Sequence, residues 1–234
     1  MNLFTRWFGI KPQLSEAQQH RLAAWSALPR PSSSAPVVES RYVVVDVETT
    51  GLNLMSDRLI SIGAVAVVKG RIDFGDSFYI VLQQQAASEK GNILLHGIST
   101  AEQLEGVPPA EALLAFLEFL GKAPLIAFHV TFDETMIKRA LRDFLGLNFK
   151  HPWLDLAYVM PGLNPPLASR YRSLDDWINH FNISNDARHN ALADALVTAQ
   201  LFQVAGGQAK NKKANNYNAL CDLESAQRWV GAVG

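Results

Sequence analysis

A chain of 234 residues, 48% hydrophobic and 18% charged, has the balance of a soluble globular protein with room for one sizeable core. Its formal net charge of −1 excludes an overall basic field for long nucleic acids, so such a partner would have to be held locally, as at a chain end. The single cysteine, Cys221, excludes an internal disulfide and fits a reducing cytoplasm. No apolar run approaches the ~18 residues of a membrane span, and the N-terminus lacks a signal peptide's apolar core, so no membrane partner is expected.

Residues 1–36 read as an N-terminal helical extension and linker. Leu3, Phe4, Trp7, Phe8 and Ile10 make an apolar patch, and Ser15 with Gln18 has capping-box spacing ahead of Leu22, Trp25 and Leu28. That helix suits packing onto the parent domain or onto a protein partner. The proline- and serine-rich run 29–36 is a linker by composition, and the main domain is expected over 37–205. A strand opens the stretch 41–52, with Thr49, Thr50 and Gly51 turning the chain, then β-rich runs at 58–69 and 71–82 split at Gly70 as a hairpin, giving three antiparallel strands. Residues 83–105 look loop-like. Pro108 and Pro109 open a helix that ends at Gly121, a short buried strand covers 124–128, and a helix runs over 132–145 with Thr131 and Glu134 in register for a capping box. Helices at 173–181 and 190–204 follow. The tail, 206–234, starts basic with Lys210, Lys212 and Lys213 and ends in a helix over 217–230. Hairpins first, then strands alternating with helices, predict an α/β mixed sheet flanked by helices.

Three acidic stations stand out along this frame. Asp46 and Glu48, two apart on a valine-rich strand, project from one face, where two buried carboxylates need a cation to offset them. Asp133 falls in the first turn of a helix just beyond a strand's end, the place where open α/β sheets gather ligands. His189 and Asp194 are five apart and cannot share a helix face, so His189 belongs to the preceding loop and Asp194 to the helix. Ala191, Ala193 and Ala195 would let that helix approach the sheet closely. Each station alone has a plainer reading: a strand with a solvated acidic end, a first-turn Asp complementing the helix dipole, a surface histidine. Taken together, four carboxylates are hard oxygen ligands suited to two Mg²⁺ or Mn²⁺ ions, and a histidine can deprotonate water for phosphodiester hydrolysis.

Asp46-Val47-Glu48 followed by Thr49-Thr50-Gly51-Leu52, then Phe132-Asp133, then His189 with Asp194, resembles in order the three motifs of the DEDDh 3′–5′ exonuclease family. That group includes the epsilon proofreading subunit of bacterial DNA polymerase III and ribonuclease T. The resemblance covers about 41–205 and implies a ribonuclease H-like fold that releases 5′-mononucleotides from a 3′ end. It implies Asp46, Glu48, Asp133 and Asp194 as metal ligands, His189 as general base, and Thr49, Thr50, Gly51, Leu52, His96 and Ile98 around the terminal nucleotide. Val130 stands where many members carry asparagine, which bears on substrate positioning. Single-stranded DNA is the expected substrate, with RNA trimming and a non-catalytic interaction module as alternatives. The termini are candidates for contact with a polymerase or another protein partner.

Overall fold

The computed structural model describes residues 12–185, 188–212 and 214–233, so the apolar patch at Leu3, Phe4, Trp7, Phe8 and Ile10, and Lys213, lie outside the described residues. Strands β1 (Arg41–Thr49), β2 (Leu59–Val68) and β3 (Arg71–Val81) pair antiparallel. The β2–β3 hairpin turns through Lys69 and Gly70 at φ 53 and 72, left-handed values that glycine adopts without strain. Strands β4 (Leu125–Ala127) and β5 (Trp153–Asp155) add in parallel, giving the order β3-β2-β1-β4-β5.

The helices are α1 (Glu16–Ala27), α2 (Lys90–His96), α3 (Thr100–Glu105), α4 (Pro109–Leu120), α5 (Thr131–Leu145), α6 (Leu156–Leu163), α7 (Leu174–His180), α8 (Ala191–Asn211) and α9 (Tyr217–Val233). Strand alternation divides the core in two. Val43, Val45 and Val47 face α1, α4 and α5, whereas Tyr42 and Val44 face α6, α8 and α9. Asp46 and Glu48 continue the second series, so they belong to the face that α8 covers.

Two local features differ from the sequence reading. Residues 83–105 hold α2 and α3 rather than a loop; helices of seven and six residues are too short to show a 3.6-residue period. Thr131 is the first residue of α5, not its N-cap, and Val130 holds that position without a side-chain cap. The turn ahead of α5 is held instead by Asp155, whose carboxylate accepts the N–H groups of His129 at 2.9 Å and Val130 at 3.2 Å. The capping box at Ser15 and Gln18 does form, and α1 lies on α4. There Trp25, buried, donates from Nε1 to the Gly121 carbonyl at 2.7 Å, and Arg21 pairs with Glu111 and Glu118.

Candidate active site

Gly63 of β2 lies opposite Asp46 of β1. A Cβ at Gly63 would stand 2.2 Å from the Ala191 carbonyl carbon and 2.3 Å from the Leu192 nitrogen, so the first turn of α8 rests directly on strand backbone. Ala191 and Ala195 are fully buried in that contact, while Ala193 is only half-buried. Asn190 starts the helix by accepting the N–H groups of Leu192 and Ala193 on its side-chain oxygen. One turn along, Asp194 meets the acids of β1: ligand oxygens of Asp46, Glu48 and Asp194 lie within 4.8 Å of one another.

The electrostatics of this cluster are those of excess negative charge. Burial, then the charges of Asp133, Asp194 and Glu48, hold the Asp46 carboxyl well above the usual carboxylate range, with Arg188 opposing. Glu48 is pushed up to about 7 by burial and by Asp194. Asp133, fully enclosed, is pushed up to about 8, first by burial and then by Asp155 and Glu48, against hydrogen bonds from the backbone of Asp133 and Val47. Asp133 stands outside the 4.8 Å set, yet after burial its charge acts most strongly on Asp46. Asp194 is the best-partnered acid. Its Oδ1 accepts from Arg188 at 2.7 Å and Asn185 at 2.6 Å, and its Oδ2 accepts the His189 N–H at 3.0 Å. Arg188 also reaches Asp175 at 3.2 Å. Hard oxygen donors this close, under-supplied with positive charge, fit a divalent cation. His189 sits in the loop ahead of α8 at φ 61, with its side chain exposed.

The RNase T family model, described as Exonuclease, matches residues 43–202. The chain belongs to this exonuclease family. Among curated relatives it is 32% identical to a PolC-type DNA polymerase III of Thermotoga petrophila over 69% of this chain and 11% of the relative. It is 30% identical to the DNA polymerase III subunit epsilon of Aquifex aeolicus over 71% of this chain and 80% of the relative. The chain thus spans only about a tenth of the PolC-type polymerases it matches. Among solved structures, E. coli Exonuclease I in complex with a dT13 oligonucleotide superposes with a TM-score of 0.61 at 17% identity, covering 74% of this chain and 42% of the other. Exonuclease X in complex with 5′ overhanging duplex DNA gives 0.59 at 15% identity, covering 78% and 99%. At such identities the likeness shows the fold, the ribonuclease H-like mixed sheet.

Within this family member the structure brings Thr49 to Leu52 to the acidic end of β1. Thr49 Oγ1 donates to the Gly51 carbonyl at 2.6 Å, Thr50 Oγ1 donates to Asp57 at 2.9 Å, and Leu52 projects with 86% exposure. Asn92 of α2 donates to the Thr50 carbonyl. His96, the last residue of α2, and Ile98 are buried instead, with His96 Nδ1 accepting the Ile98 N–H at 3.0 Å, so neither presents a free edge. Sequence reasoning missed Gly63, Asn185, Arg188 and Asp155. The last is 1% exposed, also accepts the Ala157 N–H, and pairs with Arg228 of α9 at 2.9 Å. A lone acid inside the apolar run 153–160 is the only signal the sequence carries for it.

Proposed function

We propose that this chain is a metal-dependent 3′–5′ exonuclease that hydrolyses the terminal phosphodiester of single-stranded DNA and releases 5′-mononucleotides. The observation that carries this reading is the set of three carboxylates within 4.8 Å, two of them pushed toward the neutral form by burial and mutual repulsion. Asp46, Glu48 and Asp194 would hold divalent cations, Mg²⁺ or Mn²⁺, and Asp133 would complete the ligand set for a pair of ions. When bound, two such ions stabilise charge on the attacking and leaving oxygens of a displacement at phosphorus. His189 takes the proton of the attacking water. Its backbone N–H is tied to Asp194 while its exposed ring is free to turn toward the reacting atoms. The backbone of Thr49, Thr50 and Gly51 positions the terminal nucleotide, the exposed Leu52 packs against its base, and His96 and Ile98 support this wall from beneath. Few phosphate contacts are needed at a strand end, which suits a chain of net charge −1.

The choice of DNA is supported by the polymerase relatives and by the oligonucleotide-bound neighbours. The same relatives support a polymerase as protein partner, reached through the termini, and a cytoplasmic location; among the described residues no helix is long and apolar enough to cross a membrane. The test is a time course on matched 5′-labelled DNA and RNA single strands with Mg²⁺, Mn²⁺ or chelator. A metal-dependent ladder shortening from the 3′ end, lost in Asp46→Asn and slowed in His189→Ala with metal binding retained, is the expected result. No shortening of either substrate would leave the fold as an interaction module, and faster loss of RNA would reassign the substrate.

A further inference from the structure

A second concave site lies at the opposite pole of the sheet. Arg41 opens β1 and Glu48 lies near its other end, a separation of ~23 Å at ~3.3 Å per strand residue. Beside Arg41, between the entering ends of β1, β4 and β5 and the linker at Ser32 and Ser33, is a cavity of about 540 Å³. That volume lies within the ~300–1,000 Å³ of small-molecule sites. Arg30, Arg41, Lys122, Lys138, Lys150 and His151 line it, and among its described lining residues none is Asp or Glu, although Lys138 is paired with Glu134 at 2.6 Å. The Arg41 guanidinium is taken up outside the lining, by the Leu120 carbonyl at 3.2 Å, Asp76 at 3.4 Å and the Phe119 ring, so the free charge of the cavity comes from Arg30, Lys122 and Lys150. Arg30, Lys122 and Lys150 have no carboxylate at ion-pair distance among the described residues; Lys122 instead lies 3.2 Å over the Trp25 ring.

These groups are close enough to repel one another. Burial lowers both Lys122 and His151, His151 to about 4, and Arg30 pushes each the same way. The His151 ring is held against Phe149 with centroids 5.0 Å apart, and its Nε2 meets the Ala123 carbonyl at 2.7 Å, so the imidazole is fixed rather than free to turn away. In a chain of net charge −1, such a local concentration of positive charge carries a cost that a bound anion would remove. Guanidinium forks and ammonium groups together match phosphate oxygens, and a single phosphate would leave most of the volume empty.

We propose that this cavity binds a compact phosphorylated molecule with at least two negative charges, the chemistry shared by inorganic pyrophosphate and a nucleoside diphosphate. The site is separate from the acidic cluster and does not depend on the exonuclease reading. Titration calorimetry of the full chain in chelator, where the acidic cluster repels phosphate, tests it with pyrophosphate, ADP and a short 3′-blocked oligodeoxynucleotide. Saturable binding of pyrophosphate or ADP is expected, unchanged in Asp46→Asn and weakened at least about tenfold when the exposed Arg30 and Lys150 are both changed to alanine. Tighter binding of ADP than of pyrophosphate would assign the remaining volume to a nucleoside; the reverse order would assign the site to the phosphates alone. No binding of either at about 5 mM, binding unaffected in the double variant, or an oligonucleotide that outcompetes both small probes would overturn the proposal.

Discussion

Gly63→Ala adds a single methyl group at the tightest contact behind the acids. The new Cβ would meet the Ala191 carbonyl carbon at 2.2 Å, the Leu192 nitrogen at 2.3 Å and the Ala191 oxygen at 2.4 Å, where ordinary contact begins at 3.4 Å. All three atoms are backbone, so no side-chain rotation relieves the clash, and the start of α8 must lift by ~1 Å or the strand must bow. Overpacking of this kind costs ~1–3 kcal/mol, which a domain of ~5–15 kcal/mol stability survives in folded form. The catalytic loss is disproportionate. Asp194 follows Ala191 by less than one helical turn and moves with it, and a ~1 Å misplacement of a reacting group costs ~100-fold in rate. Turnover of a labelled oligonucleotide at saturating Mg²⁺, measured beside a urea melt followed by tryptophan fluorescence, separates the two effects. A folded Gly63→Ala protein with wild-type turnover would refute the claim that this contact sets the spacing of the acids.

Asp155→Ala strips a buried carboxylate from three backbone N–H groups and from Arg228, and should cost ~3–5 kcal/mol in urea unfolding. Arg228→Ala should cost only ~1 kcal/mol because its side chain is 40% exposed; equal losses would contradict the assigned asymmetry. In chelator, folded Glu48 and Asp133 keep protons up to about 7 and about 8 that the unfolded chain loses near 4.5 and 3.8. More protons bound in the folded state means that stability falls as pH rises through this window, and Mg²⁺ should raise the melting temperature more at about pH 8 than at about pH 5. A flat profile in chelator would reject that charge assignment. Trp25→Ala should remove ~3–5 kcal/mol by opening a cavity between α1 and α4, with turnover per folded molecule unchanged, as a melt and a rate assay on one preparation would reveal.

Features written in local chemistry were legible in the sequence. The two-residue spacing of Asp46 and Glu48 placed both on one face of β1, Gly70 marked the hairpin, and Ser15 with Gln18 marked the start of α1. The five-residue gap between His189 and Asp194 excluded a shared helical face, and the structure separates them into loop and helix. What escaped depends on contacts distant in the chain. Strand β5 has three residues, too few to show alternation, and is recognisable only by pairing with β4. Gly63 sits in an apolar run where nothing announces that a helix start will lie on it. Thr131 carries the pattern of a cap, but Asp155, distant in sequence, holds that turn instead.

The pairing of Asp155 with Arg228 bears on where the chain can be cut. The family match ends at residue 202, which invites trimming the molecule there. Such a fragment would lose α9, and with it the only guanidinium partner described for a carboxylate that also grips the turn leading to Asp133. Tyr217, which donates to the Trp153 carbonyl at 2.8 Å, would go too, freeing the edge strand of the sheet. Helix α9 therefore acts as a strap that closes the parallel edge, and a protein that peeled it away would loosen the turn before Asp133 from behind without touching the mouth of the candidate site.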